Sequence, residues 1–244
     1  MKRFLPLLAM ALAFMMSACV KTPEPTRFSI LGDSFSALEG YVDPDSNDPF
    51  IYYNDIGVTG PELMWWSKVV DSTGWVLERN NSFSGALVCN FEDFVTGEHY
   101  APNSYIRRMD NLGNPNVILV FGGTNDIYKK APLGDYEYSG WTEEQLCTFR
   151  PAMAYLLESL KQHHPRAKIY LLVDMELCIS DTTIDDETRQ AFIESMHHIA
   201  SHYNVSCIDL YGIHKDLWHP DVQGQEDIAR QVIEALAVDF DFNV

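Results

Sequence analysis

The stretch Arg27-Phe28-Ser29-Ile30-Leu31-Gly32-Asp33-Ser34-Phe35-Ser36 joins a short β-rich run to a turn of small and polar residues. That order returns along the chain. Trp75–Arg79, Asn116–Phe121, Lys168–Asp174 and Val205–Asp209 are further β-rich runs of strand length. Longer stretches with helical character separate them. One begins at Pro61, placed for a first helical turn after Thr59-Gly60, and runs to Val70. A second is expected over Thr142 to His163, opening with the capping-box spacing Thr142-Glu143-Glu144-Gln145 and closing before Pro165. In the third, Asp185 to Tyr203, the residues Phe192, Met196, Ile199 and Tyr203 recur at steps of three and four, one apolar helix face. The last runs from Gln223 to Ala237.

Strands alternating with helices imply a parallel sheet with right-handed crossovers and helices on both faces. The expected architecture is therefore α/β: a three-layer α/β/α sandwich around a parallel sheet of about five strands. Ligands of such sheets sit beyond the carboxyl ends of the strands. Tyr41–Gly60 and Lys129–Gly140 read as long loops on that edge.

Four strand ends carry residues suited to chemistry. After the first run, the hydroxyl of Ser34 stands at a strand-to-helix turn, where it can act as a nucleophile with its own N–H facing a substrate. A serine there also serves as a plain helix cap. After the second comes Asn80-Asn81-Ser82-Phe83-Ser84-Gly85. Gly85 either brings a backbone N–H close to a ligand or simply makes a turn. After the third, in Phe121-Gly122-Gly123-Thr124-Asn125-Asp126, the Asn125 amide can donate to an oxyanion or start an Asx-turn. After the fifth, Asp216-Leu217-Trp218-His219-Pro220 spaces a carboxylate so that it can orient an imidazole and stabilise its protonated form. A structural histidine capped by its neighbour is the plainer alternative. No one motif decides; their placement, each at the end of a different strand and in order, does.

This set resembles the SGNH, or GDSL, hydrolases, a family of esterases and acylhydrolases, over the domain from Arg27 to Ala237. Phe35 stands where that family has Leu, one residue past the nucleophile. The resemblance implies a flavodoxin-like SGNH fold and a Ser34, His219 and Asp216 catalytic set. It implies an oxyanion hole from the Ser34 N–H, the Gly85 N–H and the Asn125 side chain. It implies an acyl-enzyme mechanism needing no metal or organic cofactor. The α/β-hydrolase template fits less well: Gly32-x-Ser34-x-Ser36 lacks its second glycine, and Asp216 and His219 share one turn.

The chain opens Met1-Lys2-Arg3, runs apolar from Phe4 to Met16, and reads Met16-Ser17-Ala18-Cys19. A basic start, an apolar stretch and small residues before a boundary describe an export signal, and the ending resembles a bacterial lipoprotein signal. The expected division is a signal over residues 1–18, a lipidated Cys19 with a tether to residue 26, and one hydrolase domain over 27–244. The protein is then exported and anchored by lipid in a bacterial envelope, facing the periplasm or the cell surface. Lys+Arg number 17 against 35 Asp+Glu, a net charge of −18, which repels phosphate backbones and anionic lipid surfaces and excludes nucleic acid as a partner. No protein partner is predicted.

Of the remaining cysteines, Cys89, Cys147, Cys178 and Cys207 contain no C-x-x-C, which argues against a thiolate metal site; a Cys89–Cys147 bridge is conceivable. His198 and His202 fall with Glu194 on the helix face opposite the apolar one and read as solvated. Asp33 and Asp126 read as loop-ordering acceptors.

Aromatic residues (Tyr52, Tyr53, Trp65, Trp66, Tyr136, Tyr138, Trp141 and Trp218) mark the loops and their flanks, mixed with Asp43, Asp45, Asp48 and Asp135. Aromatic faces stack on sugars but equally fill cores. Acidic loops suit a polar carrier better than a lipid surface. The expected substrate is a short acyl, acetyl, ester on a glycan. The alternatives are a lipase or lysophospholipase of the same family, or a glycan-binding lipoprotein without catalysis.

Overall fold

A computed structural model describes residues 24–42, 56–93, 98–99, 101–177, 181–216 and 218–242. Five strands form the central sheet: β1 (Arg27–Gly32), β2 (Val76–Ser82), β5 (Val117–Phe121), β6 (Lys168–Asp174) and β7 (Ser206–Leu210). Their order is β2-β1-β5-β6-β7 and every neighbouring pair is parallel. Two small antiparallel pairs stand apart: β3 (Glu92–Asp93) with β4 (Glu98–His99), and β8 (Lys215–Asp216) with β9 (His219–Pro220).

Strand side chains alternate between faces, and here both faces are covered. Ile118, Val120, Leu171 and Val173 pack beneath α2 (Tyr105–Arg108), α4 (Phe149–His163) and α5 (Asp186–His202). Val117, Leu119, Phe121 and Leu172 face the other way, against α1 (Trp65–Thr73) and α6 (Val222–Leu236). The result is the three-layer sandwich expected from the alternation of elements. Because β1 has β2 on one side and β5 on the other, the strand order reverses there and opens a crevice at their carboxyl ends. Gly32 ends β1 and Phe121 ends β5, so Ser34 and Asn125 flank that crevice.

Helix boundaries depart from the sequence reading in two places. The expected helix over 142–163 is a 3-10 turn at Gln145–Cys147 followed by α4. Thr148 between them is extended (φ −118°, ψ 152°). The reason is Pro151, which lacks an N–H and is tolerated only in a first helical turn. The freed N–H groups of Phe149 and Arg150 donate instead to the carbonyls of Pro132 and Leu133. The capping-box bonds form all the same, between Thr142 and Gln145, on the 3-10 turn. Likewise, Pro61–Leu63 is a 3-10 turn and extended Met64 separates it from α1.

Strand β2 runs three residues beyond the expected Arg79. Its polar end is buried but satisfied: Asn80 donates to the Ser36 carbonyl at 2.9 Å, and the Ser82 hydroxyl to Asn80 at 2.6 Å.

Cys89 and Cys147 are free thiols, which overturns the bridge considered between them; Cys207 is also free, and Cys178 lies outside the described residues. Cys89 instead donates to Asp126. The loop over 129–140 is tied across the helical layer. Tyr136 packs on His198, with centroids 4.4 Å apart, and Tyr138 stacks on His202 at 3.7 Å. The two histidines lie exposed with Glu194 on the solvated helix face, as expected, and there they also seat the rings of this loop. Most of the loop over 41–60, with Tyr52 and Tyr53, lies outside the described residues, as does Cys19 with the expected signal segment.

Candidate active site

The turn after β1 is locked by its own backbone and by Asp33. The Asp33 carbonyl accepts from the Ser36 and Ala37 N–H groups at 3.1 Å each. Its carboxylate accepts from the Phe35 N–H at 3.0 Å. Gly32 leaves room for its neighbours, since a Cβ there would lie 2.6 Å from the Ser82 hydroxyl and would force it to shift. Outside the turn, the Trp65 indole donates to the Ser36 hydroxyl and the Trp66 indole to the Ser36 carbonyl. Both tryptophans are buried, so they buttress the serine turn instead of contacting a substrate.

Held this way, the Ser34 hydroxyl lies 3.0 Å from Nε2 of His219. His219 stands on β9, and Asp216 is its direct partner across the hairpin. Directly opposed residues project their side chains on the same face, with Cβ atoms about 5 Å apart. The three-residue spacing thus sets acid and imidazole at directly opposed positions of a strand pair. Burial holds the His219 imidazole down at about 4, against 6.5 ordinarily, so the ring is neutral near pH 7 and can accept a proton.

The other two motifs converge on the same point. Phe83 to Ala86 is a turn closed by the Ala86 N–H on the Phe83 carbonyl at 3.1 Å. Gly85 occupies its third position with φ +77°, a conformation that glycine alone adopts without cost. The Asn125 side-chain nitrogen, at the start of α3 (Thr124–Tyr128), donates to the Ala86 carbonyl at 3.1 Å and to Asp33 at 3.3 Å. Asp126 straps the same loop, accepting from the Val88 N–H at 2.9 Å and the Cys89 N–H at 3.2 Å. All four expected strand-end motifs therefore meet at one place. Asp33 and Asp126 are both fully buried, and burial lifts their carboxyls to about 7 and about 6.

Two supports carry no sequence signal that singles them out. Arg108, buried on α2, donates to the carbonyls of Gly32, Asn81 and Asn103, tying the ends of β1 and β2 together. The neighbouring Arg107 is exposed, and nothing in the pair Arg107-Arg108 tells them apart. Asp174, at the end of β6, takes the ammonium of Lys215. Beside the site, Tyr128 and Trp218 form a half-exposed aromatic pair with centroids 5.3 Å apart. Among the described residues, no cluster of three or more His, Cys, Asp or Glu could hold a metal ion, and no helix is long and apolar enough to cross a membrane.

A serine, a histidine and an amide are gathered at the switch point of a parallel sheet, as in a hydrolase built on a three-layer α/β/α sandwich. The chain belongs to the GDSL-like lipase/acylhydrolase family, which matches residues 26–236. It is similar to the crystal structure of a candidate GDSL-like lipase from Bacteroides ovatus, with 40% identity, a TM-score of 0.76, and coverage of 88% of this chain and 99% of that one. A second, from Bacteroides uniformis, gives the same identity and TM-score over 88% and 97%. A carbohydrate esterase family 2 enzyme from Corynascus, 17% identical, shares the fold with a TM-score of 0.62 over 89% of this chain and 67% of that one. No match was found among curated proteins.

Proposed function

We propose that this hydrolase is a serine esterase that cleaves short acyl esters, acetyl above all, from a glycan. The observation that carries the reading is the 3.0 Å approach of the neutral His219 ring to the Ser34 hydroxyl. In the first step Ser34 Oγ attacks the ester carbonyl while Nε2 of His219 takes the hydroxyl proton. A base whose imidazolium is disfavoured by burial needs that cation stabilised as it forms, and Asp216 is the carboxylate placed across the hairpin to do so. The Ser34 N–H, the Gly85 N–H and the Asn125 amide hold the tetrahedral oxyanion. Collapse breaks the bond to the alcohol, which leaves with the proton from His219. Water then attacks the acyl-enzyme, gives its proton to His219 and releases the acid, and the proton returns to Ser34. None of these steps calls for a metal or organic cofactor.

The preference for a polar carrier is supported by the acidic composition and by the half-exposed Tyr128 and Trp218 beside the site, where sugar rings find aromatic partners. The carbohydrate-esterase neighbour shares the fold alone. Lipid on Cys19 holds the exported domain at the envelope, a reading that rests on the Met1–Cys19 sequence. Hydrolysis of aryl esters of increasing acyl length, with Ser34→Ala beside the unmodified protein, tests the chemistry. Acetyl preference abolished in Ser34→Ala supports the glycan esterase. Preference for octanoyl or longer chains points to a lipase, and activity independent of Ser34 sinks the mechanism. Membrane retention that persists in Cys19→Ser counts against the lipid anchor.

A further inference from the structure

We propose that Lys215 is a positioning residue, which locks the hairpin bearing His219 onto the sheet by bridging the Asp174 carboxylate and the Phe35 ring. Lys215 opens β8, one residue before Asp216, and its bridge partner Pro220 directly follows His219. Its ammonium pairs with Oδ2 of Asp174, whose side chain is 1% exposed against 14% for Lys215. The other Asp174 oxygen accepts from the Glu176 N–H at 3.0 Å, and Asp174 itself sits in the β6–β7 ladder opposite Leu210. The pair therefore fastens a two-stranded hairpin to the central sheet.

The third member is Phe35, immediately after Ser34. The Lys215 ammonium lies 5.7 Å from its ring centroid, within cation–π range. The same ring stands edge-on to His219 at 5.8 Å and to Phe121 at 5.6 Å. Phe35 thus touches both the cation that anchors the hairpin and the imidazole that the hairpin carries. The resemblance noted above has Leu at this position, which fills space but offers no π-face. An aromatic ring here has a physical purpose, since it gives the desolvated ammonium a second partner beside Asp174. The contacts run from the β6 end through Lys215 and Phe35 to His219, and set how the ring meets Ser34.

The inference rests on His219 being the base of the proposed esterase. It is tested on the full chain with an aryl acetate, with Ser34→Ala run in parallel; activity surviving in Ser34→Ala would overturn that reading and not this one. Lys215→Met is expected to lower kcat about 10²-fold with KM nearly unchanged, the cost of a misplaced catalytic group. Lys215→Arg, which keeps the charge, should recover most of the loss. Phe35→Leu should lower kcat less, and should add little in the double variant with Lys215→Met. Removal of Lys215 leaves a buried lone carboxylate, so Asp174→Asn/Lys215→Met separates position from stability. Restored thermal stability with kcat still low supports the proposal, whereas recovery of both overturns it. A Lys215→Met protein that folds with wild-type kcat overturns it as well. The His219 ring titration, followed by NMR, gives a readout without turnover: it should move up toward 6.5 as the loosened hairpin hydrates the ring, and an unchanged titration counts against the lock.

Discussion

The side-chain nitrogen of Asn125 stands 3.1 Å from the carbonyl oxygen of Ala86, the residue after Gly85. The two groups proposed as oxyanion donors, from distant parts of the chain, are thereby set relative to each other. Asn125→Ala removes one donor and the tie between α3 and the Gly85 turn. We expect kcat to fall on the order of 10²–10³-fold with a much smaller change in KM, because the donor acts on charge that develops only in the transition state. Steady-state kinetics on an aryl acetate check this. A loss confined to KM would show that Asn125 binds ground-state substrate instead.

The acid limb of the pH profile reports His219. The neutral ring is the active form, so kcat/KM falls as pH drops through the ring's pKa in the free enzyme. With burial holding that value at about 4, activity should persist through mildly acidic pH and be lost near pH 4. An acid limb centred near 6.5 would mean that the ring is hydrated in solution.

Asp33 makes stability depend on pH in the opposite sense to an ordinary carboxylate. Its folded value of about 7 lies above the ordinary 3.8, so the folded state holds a proton that the unfolded state has lost. That contribution is full below about 3.8 and is lost as pH rises through about 7. Asp126, raised to about 6, acts in the same direction. His219, depressed to about 4, acts oppositely: its contribution is lost as pH falls from 6.5 through about 4. Asp33→Asn should therefore gain on the wild type between pH 5 and pH 8 by on the order of 2 kcal/mol. Urea denaturation at the two pH values measures it. An equal difference at both would rule out titration of Asp33 in that range.

Arg108 should prove a structural requirement of the site. Its guanidinium serves the Gly32, Asn81 and Asn103 carbonyls at 3.0, 2.6 and 2.8 Å, and each orphaned buried acceptor costs about 1–3 kcal/mol. Arg108→Met is expected to destabilise the fold by roughly 3 kcal/mol or more. Arg108→Lys should recover little, since a single ammonium cannot span that fork. Chemical denaturation of both variants tests this; full rescue by lysine would show that charge alone matters.

The five sheet strands and the four site motifs were legible in sequence because each is local. A β-rich run shows in its composition, and Gly32-Asp33-Ser34 or Asp216 to His219 shows in spacing. What was misread also has a local cause: Pro151 moves the start of α4, and buried polar residues carry β2 to Ser82. The Cys89 thiol was open to either reading in sequence, since only the fold reveals that its partner is the Asp126 carboxylate.

Sequence alone determined the alternation of elements, and it placed the serine, amide and imidazole of the proposed site at successive strand ends. Tertiary structure alone decided what supports them. That Trp65 and Trp66 brace the serine turn, that Arg108 and not Arg107 is buried, and that Lys215 reaches Asp174 all depend on contacts between residues far apart in the chain. Burial and pairing arise only when separate elements pack together, and no spacing along the chain encodes them.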